Sequence, residues 1–252
     1  MSGVSTGSAA EVRLWGGFEI AYVDGAGVER CEVLSRCRDA EFERARPVRG
    51  FASFKGQSHF PGLWWFSAAG DHVGFESWLE RDVVMLLDAD PAVAAVVSQP
   101  FWLSWPDGKR TVRHAPDFFA RRRDGSAVVI DVRADDRIED SDAVKFEMTG
   151  RACALAGWEY QRIGALDPVL AANLRWLAGY RHPRYAVPGC AADLARVFAS
   201  PLSLMDGARA AGDPIAVLPV LFSLLWRRRL LADLATSLLG PGTLVWSPGG
   251  RR

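Results

Sequence analysis

Residues 115–134 read APDFFARRRDGSAVVIDVRA. Two apolar runs, 116–120 and 127–132, flank a charged segment that contains Asp124-Gly125, a strong turn signal between antiparallel strands. The span predicts a β-hairpin. Asp117 follows a proline at the start of the first strand. Asp131 interrupts Val-Val-Ile-Asp-Val in the second, with Arg133 two residues on. Side chains alternate along a strand, so Asp131 and Arg133 share one face of the sheet. A carboxylate in an apolar layer must be paired or must hold a metal, because leaving it bare costs several kcal/mol or more. A structural ion pair between Asp131 and Arg133 on an exposed hairpin is the simpler alternative.

The chain has 252 residues and is 49% hydrophobic, enough to bury a core in one large domain or two small ones. Thirty basic and thirty acidic residues cancel, so a case for nucleic-acid binding must come from local clusters. Lys55, Lys109 and Lys145 are the only lysines, and every other basic residue is arginine. Cys31, Cys37, Cys153 and Cys190 have no CxxC spacing, which argues against a zinc site or a disulfide framework and fits a reducing cytoplasm. Residues 1–11 are small and polar with no apolar signal region. The longest apolar run, 215–226, is too short to span a bilayer. The expectation is a cytoplasmic, soluble protein with a flexible lead over residues 1–10.

A small hairpin is predicted over 12–33, with Leu14, Phe18, Ile20 and Tyr22 and a turn at Asp24-Gly25. Residues 36–55 interleave Arg36, Arg38, Arg44, Arg46, Arg49 and Lys55 with Phe42, Phe51 and Phe54, a mixture suited to a phosphate backbone and equally to a solvated surface. A strand over 60–66 precedes a helix over 73–87, whose stripe is Phe75, Leu79, Val83 and Leu86. A helical turn of about 100° per residue places Glu76 at the edge of that stripe and Glu80 on its flank, with Arg81 and Asp88 on the opposite side. A pair of strands over 93–97 and 101–105 follows. Then come residues 110–114, the hairpin, a helix over 141–157 and a strand over 158–163. A helix over 168–177 has Asp167 as N-cap and proline at its first position. His59, His72, His114 and His182 have no partners at metal-ligand spacing and read as ordinary polar residues.

Pro116-Asp117, a hairpin and Asp131-Val132-Arg133 resemble the PD-(D/E)xK nuclease core, with arginine at the lysine position. Glu76-Ser-Trp-Leu-Glu80-Arg-Asp, the segment ending Leu86-Leu87-Asp88-Ala89-Asp90-Pro91, Gln99-Pro100 and the hairpin resemble, in that order, TnsA, the endonuclease subunit of heteromeric transposases. The resemblance covers roughly residues 50–163. It implies an α/β fold, a restriction-endonuclease-like mixed sheet flanked by helices. It also implies a catalytic site of Glu80, Asp117, Asp131 and Arg133, with Glu76 in reserve for Glu80. Glu80, Asp117 and Asp131 would hold Mg²⁺, for which Mn²⁺ can substitute. Arginine cannot shuttle protons near neutral pH, and Lys145 is a conceivable substitute cation. The implied partners are double-stranded DNA, a strand-transfer transposase subunit and a regulatory ATPase subunit.

Beyond residue 190, helices over 191–198, 214–228 and 230–239 and a strand over 243–246 read as a small winged helix. TnsA-like proteins carry such a domain, and Arg227, Arg228 and Arg229 could meet phosphate there. A helical extension packed on the core is the alternative. The expected organisation is an N-terminal extension (1–55), a nuclease domain (56–180) and a winged-helix domain (188–252). The leading function is a Mg²⁺-dependent DNA endonuclease acting at transposon ends. The alternatives are a PD-(D/E)xK nuclease of defence or repair, a catalytically inactive DNA-binding adaptor, and a DNA-binding regulator.

Overall fold

A computed structural model of the chain describes residues 16–50 and 60–249. Leu14, Phe51, Phe54, Lys55, His59 and the lead over 1–10 lie outside the described residues. The chain is mixed α/β and divides into two compact units. One comprises Met1–Val84 with Ala92–Ala165, and the other Met85–Pro91 with Leu166–Arg252. The segment expected as an N-terminal extension therefore belongs to the first unit, and the helix after Asp167 belongs to the second. Among the described residues no helix is long and apolar enough to cross a membrane.

Strands β1 (Glu19–Val23) and β2 (Glu29–Val33) form the expected first hairpin. They continue into β6 (Trp102–Asp107) and β7 (Arg110–His114), giving an antiparallel sheet of order β2-β1-β6-β7. A second sheet has order β10-β9-β8-β5, from β5 (Val93–Ser98), β8 (Phe118–Arg122), β9 (Ala127–Val132) and β10 (Glu159–Ile163). Strands β8 and β9 are the hairpin read from the sequence, and Gly125 takes the positive φ of 87° that its turn requires. Strand β10 returns parallel to β9 after helix α2 (Asp140–Ala156). That crossover is how a helix joins neighbouring parallel strands.

The two sheets share one core. Phe18, Ile20, Leu103 and Trp105 from the first meet Val97, Phe119 and Val129 from the second, with Ala152 and Cys153 of α2. Phe42 sits at its centre, packed edge-on against Phe119 and Trp158 and tilted against Phe101. It is fully buried, so the aromatic expected to alternate with arginines on a surface instead anchors the core.

Two local expectations give way to other structure. Helix α1 runs Trp78–Asp88, whereas Asp71–Phe75 is strand β4, paired with β3 (Gly62–Phe66) in a two-stranded ribbon. Residues 60–66 therefore do not enter the main sheet. The expected helical stripe started too early because Val73 and Phe75 are two residues apart and satisfy a strand period equally well. Asp88, expected to face solvent, is buried, and its charge acts on Arg181. The second difference concerns β5 and β6, which do not pair with each other and belong to separate sheets.

The second unit contains α3 (Pro168–Ala178), α4 (Pro188–Val197), α5 (Leu204–Ala211) and α6 (Pro214–Trp226). Asp167 caps α3 as expected, accepting from Val169 N–H at 2.8 Å and Leu170 N–H at 3.1 Å. A three-stranded sheet of order β11-β13-β12 is built from Leu202–Ser203, Leu231–Ala232 and Leu244–Trp246. The helix expected over 230–239 is absent. Asp233 accepts from Ala235 and Thr236 N–H in a tight turn, and buried Asn173 of α3 donates to the carbonyls of Leu234 and Ser237. Those side chains satisfy the backbone groups a helix would have paired internally.

Candidate active site

Strand register brings the acids of the hairpin together. Ser98, Phe118, Ile130 and Gln161 stand opposite one another across β5, β8, β9 and β10. One residue further along is a polar row of Gln99, Asp117, Asp131 and Arg162. The Gln99 N–H donates to the Asp117 carbonyl at 2.8 Å, and Arg162 stands opposite Asp131 in the register of β10 and β9, its guanidinium turned to Asp135. Directly opposed residues of antiparallel strands present side chains on the same face, which places Asp117 beside Asp131.

Asp117 stands where β8 begins, and its Oδ2 accepts the Val132 N–H at 2.6 Å. Burial pushes its carboxyl well above the usual carboxylate range, and the negative charges of Asp131 and Glu80 push it further. The Val132 amide and Arg49 act in the opposite direction. Two carboxylates from separate elements, Asp131 of β9 and Glu80 of α1, thus act on Asp117.

Glu80 comes from the first turn of α1. Ser77 Oγ accepts the Glu80 N–H at 3.1 Å and donates to Glu80 Oε1 at 2.9 Å, while Glu80 Oε2 accepts the Glu76 N–H at 2.8 Å. The pattern resembles a capping box, with the glutamate reaching the N–H one residue before the cap, and it gives Glu80 a structural task of its own. Burial raises its carboxyl above the ordinary value, against those hydrogen bonds. Glu76 pairs with Arg49 at 2.8 Å.

Asp131 is 0% exposed. Its Oδ1 lies 2.7 Å from His114 Nε2, and its Oδ2 accepts the Tyr160 hydroxyl at 2.8 Å. His114 is thus the partner of a buried carboxylate, contrary to the expectation of an ordinary polar residue. The last residue of β7 meets the fifth of β9, a contact made by the first sheet folding against the second, and no sequence spacing announces it. Burial and the neighbouring Asp131 charge hold the Tyr160 hydroxyl protonated.

Arg133 follows the end of β9. Its guanidinium bonds to Asp142 at 2.9 Å and to the Arg137 carbonyl at 3.0 Å, so its ion pair is with Asp142 and not with Asp131. Lys145 lies 3.5 Å from the same Asp142. The two cations considered from the sequence therefore share one carboxylate. Burial opposes ionisation of Asp142, but Arg133 and Lys145 hold its carboxyl below the usual range.

Among the described residues no group of three or more His, Cys, Asp or Glu side chains is arranged to hold a metal ion. Asp131 is turned to His114 and Tyr160, and Glu80 to its own helix end. Of the arginines over 36–49, Arg49 reaches the acids, whereas Arg44 pairs with Glu41 and Arg38 bonds to the Ala156 carbonyl. Near Glu80, exposed Trp78 carries Arg81 at 4.3 Å from its ring centroid and Phe60 at 5.6 Å. Tyr160 is the site residue that the sequence reading does not name, and Arg49, Gln99 and His114 are named there without a place in the acidic site. Compared with models of known families and with curated proteins, the chain finds no match.

Proposed function

We propose that the chain is a metal-dependent DNA endonuclease, the cleaving subunit of a heteromeric transposase that cuts double-stranded DNA at transposon ends. One observation carries this reading: Asp117, at the start of β8, stands beside Asp131 of β9 and is acted on by the charges of Asp131 and of Glu80 from α1. The element order supports it. A helix, three antiparallel strands, a helix and a strand parallel to the third make the order of a restriction-endonuclease-like core, with β6 and β7 inserted after the first strand.

The donor set fits Mg²⁺ or Mn²⁺. Carboxylate and amide oxygens are the hard ligands such ions prefer, and each carboxylate offers about four lone-pair positions, more than the hydrogen bonds it accepts here. Gln99, whose buried Oε1 has no hydrogen-bond partner, is tied to Asp117 through its backbone N–H. Glu80, Asp117 and Asp131 would hold the ion, which when bound supplies Lewis-acid activation of water and neutralises charge on the phosphate. His114 and Tyr160 fix the orientation of Asp131. Arg133 offers a permanent charge to a phosphate once Asp142 releases it, and it can give no proton. Trp78 with Arg81 offers a stacking and cationic surface beside the cut.

The second unit supports a winged helix. Strand β11 falls between α4 and α5, two strands follow α6, and the order β11-β13-β12 is that of a wing. Helix α6 carries no charged side chain, so it is ill suited to reading a major groove. The module is better fitted to a protein partner, the regulatory ATPase. Exposed Arg227 and Arg229 remain for phosphate.

A second reading, a catalytically inactive DNA-binding adaptor, is favoured by the engagement of both Asp131 oxygens and by the Arg133–Asp142 pair. Nicking of supercoiled DNA bearing transposon ends separates the two, with Mg²⁺ and the transposase and ATPase subunits present. The endonuclease reading expects cleavage by the wild type and none by Asp117→Ala. Equal products from both proteins, or none from either, would favour the adaptor.

A further inference from the structure

Gln99 carries two costs that its local sequence does not explain. Its φ is +46°, one of two positive values among the described non-glycine residues, and the following Pro100 biases its backbone toward the extended region. It is also 2% exposed, and its Oε1 has no hydrogen-bond partner. A glycine would relieve the first cost and a leucine the second. The residue is nevertheless held firmly: its N–H donates to the Asp117 carbonyl at 2.8 Å and its carbonyl accepts the Val48 N–H at 2.9 Å. Backbone strain and an orphaned buried acceptor at one residue are the marks of a binding position.

We infer that Gln99 is a fourth oxygen donor of the acidic row, a neutral ligand that completes a divalent-cation site with Asp117, Asp131 and Glu80. The inference rests on the metal-dependent reading above and adds to it a ligand outside the hairpin and α1. An amide oxygen lowers the net negative charge that a fourth carboxylate would bring, while supplying the same hard donor. The strained residue stands where β5 ends and the chain departs for β6, with its backbone fixed to the Asp117 carbonyl.

Binding of Mn²⁺ to the full chain, followed by the loss of the free-ion paramagnetic signal, tests this without reference to cleavage. Gln99→Leu is expected to weaken Mn²⁺ about tenfold, the scale of losing one supporting ligand, while melting without metal at or above the wild type. Gln99→Glu, which restores an oxygen and adds a charge, is expected to bind Mn²⁺ more tightly than the wild type, and it answers the question if the leucine variant does not fold. Asp117→Ala is expected to abolish the site. If Asp117→Ala loses Mn²⁺ while both Gln99 variants bind as the wild type does, Gln99 is not a ligand and the acidic site stands. If Asp117→Ala binds as the wild type does, or the wild type binds nothing, the metal-dependent reading falls and this inference falls with it.

Discussion

Replacing Asp117 with asparagine should make the metal-free protein more stable at neutral pH. The substitution keeps an oxygen able to accept the Val132 N–H and removes the charge that Asp131 and Glu80 oppose. Opposed residues on antiparallel strands have their Cβ atoms about 4.5–5.5 Å apart, and carboxylates that turn away from each other stand slightly further. At about 6 Å and an effective dielectric near 20, two unit charges repel by roughly 3 kcal/mol. The weaker hydrogen bond of a neutral acceptor takes back about 1 kcal/mol. A net gain of about 2 kcal/mol corresponds to a rise in Tm of about 4–8 °C for a chain of this size.

The gain must depend on pH in one direction. Folding raises the Asp117 value, so between the ordinary aspartate range and that raised value the folded protein holds a proton that the unfolded chain has released. Stability of the wild type therefore falls as pH rises through that window, whereas the asparagine variant has nothing to ionise there. Melting curves in chelator should coincide near pH 4 and separate toward pH 8. Mg²⁺ should then reverse the order, since an ion at a hundredfold its Kd stabilises the wild type by about 2.7 kcal/mol. A variant that melts below the wild type at pH 8 in chelator, or a gap as wide at pH 4, would refute the mutual crowding of these acids.

Three further substitutions probe other parts of the chain. Arg133→Lys should raise the nicking rate in Mg²⁺ if the fixed charge of arginine limits the reaction, and an unchanged rate would remove arginine as the limiting group. Gly207→Ala should destabilise by about 1–3 kcal/mol, because the new Cβ meets the ring of fully buried Phe198; urea denaturation measures it. Asn173→Ala should cost about 3–5 kcal/mol, read as a fall in the urea midpoint, since it strands the Leu234 and Ser237 carbonyls and the Leu239 N–H.

What the sequence disclosed and what it hid differ by the range of the interaction. The β8–β9 hairpin was legible because its turn is local, Asp124 accepting the Ser126 N–H and Gly125 taking positive φ. The α3 cap was legible for the same reason. The start of α1 was open to the same kind of reading, since Ser77-x-x-Glu80 is a capping-box signature, but the apolar period from Val73 onward outweighed it. The turn at Asp233 was likewise a local signal that Leu230, Leu231 and Leu234 concealed. Sheet membership was of another kind. Nothing between Val93 and Trp105 tells the reader that β5 and β6 part company, because the parting is made at Gln99, where the backbone leaves the geometry its sequence favours. The site shows the same division. Val97, Phe119, Val129 and Tyr160 form one row across the sheet, and two residues on another holds Gln99, Asp117, Asp131 and Arg162. Along β9 the aspartate is a single interruption of an apolar run, and Asp117 stands alone before another, each open to a bland explanation. Register aligns the two aspartates with Gln99 and Arg162, and the first sheet then sets His114 against Asp131, the most deeply buried of the four. A carboxylate that is only anomalous in one dimension becomes a candidate reactive group when its neighbours across the strands are anomalous at the same level.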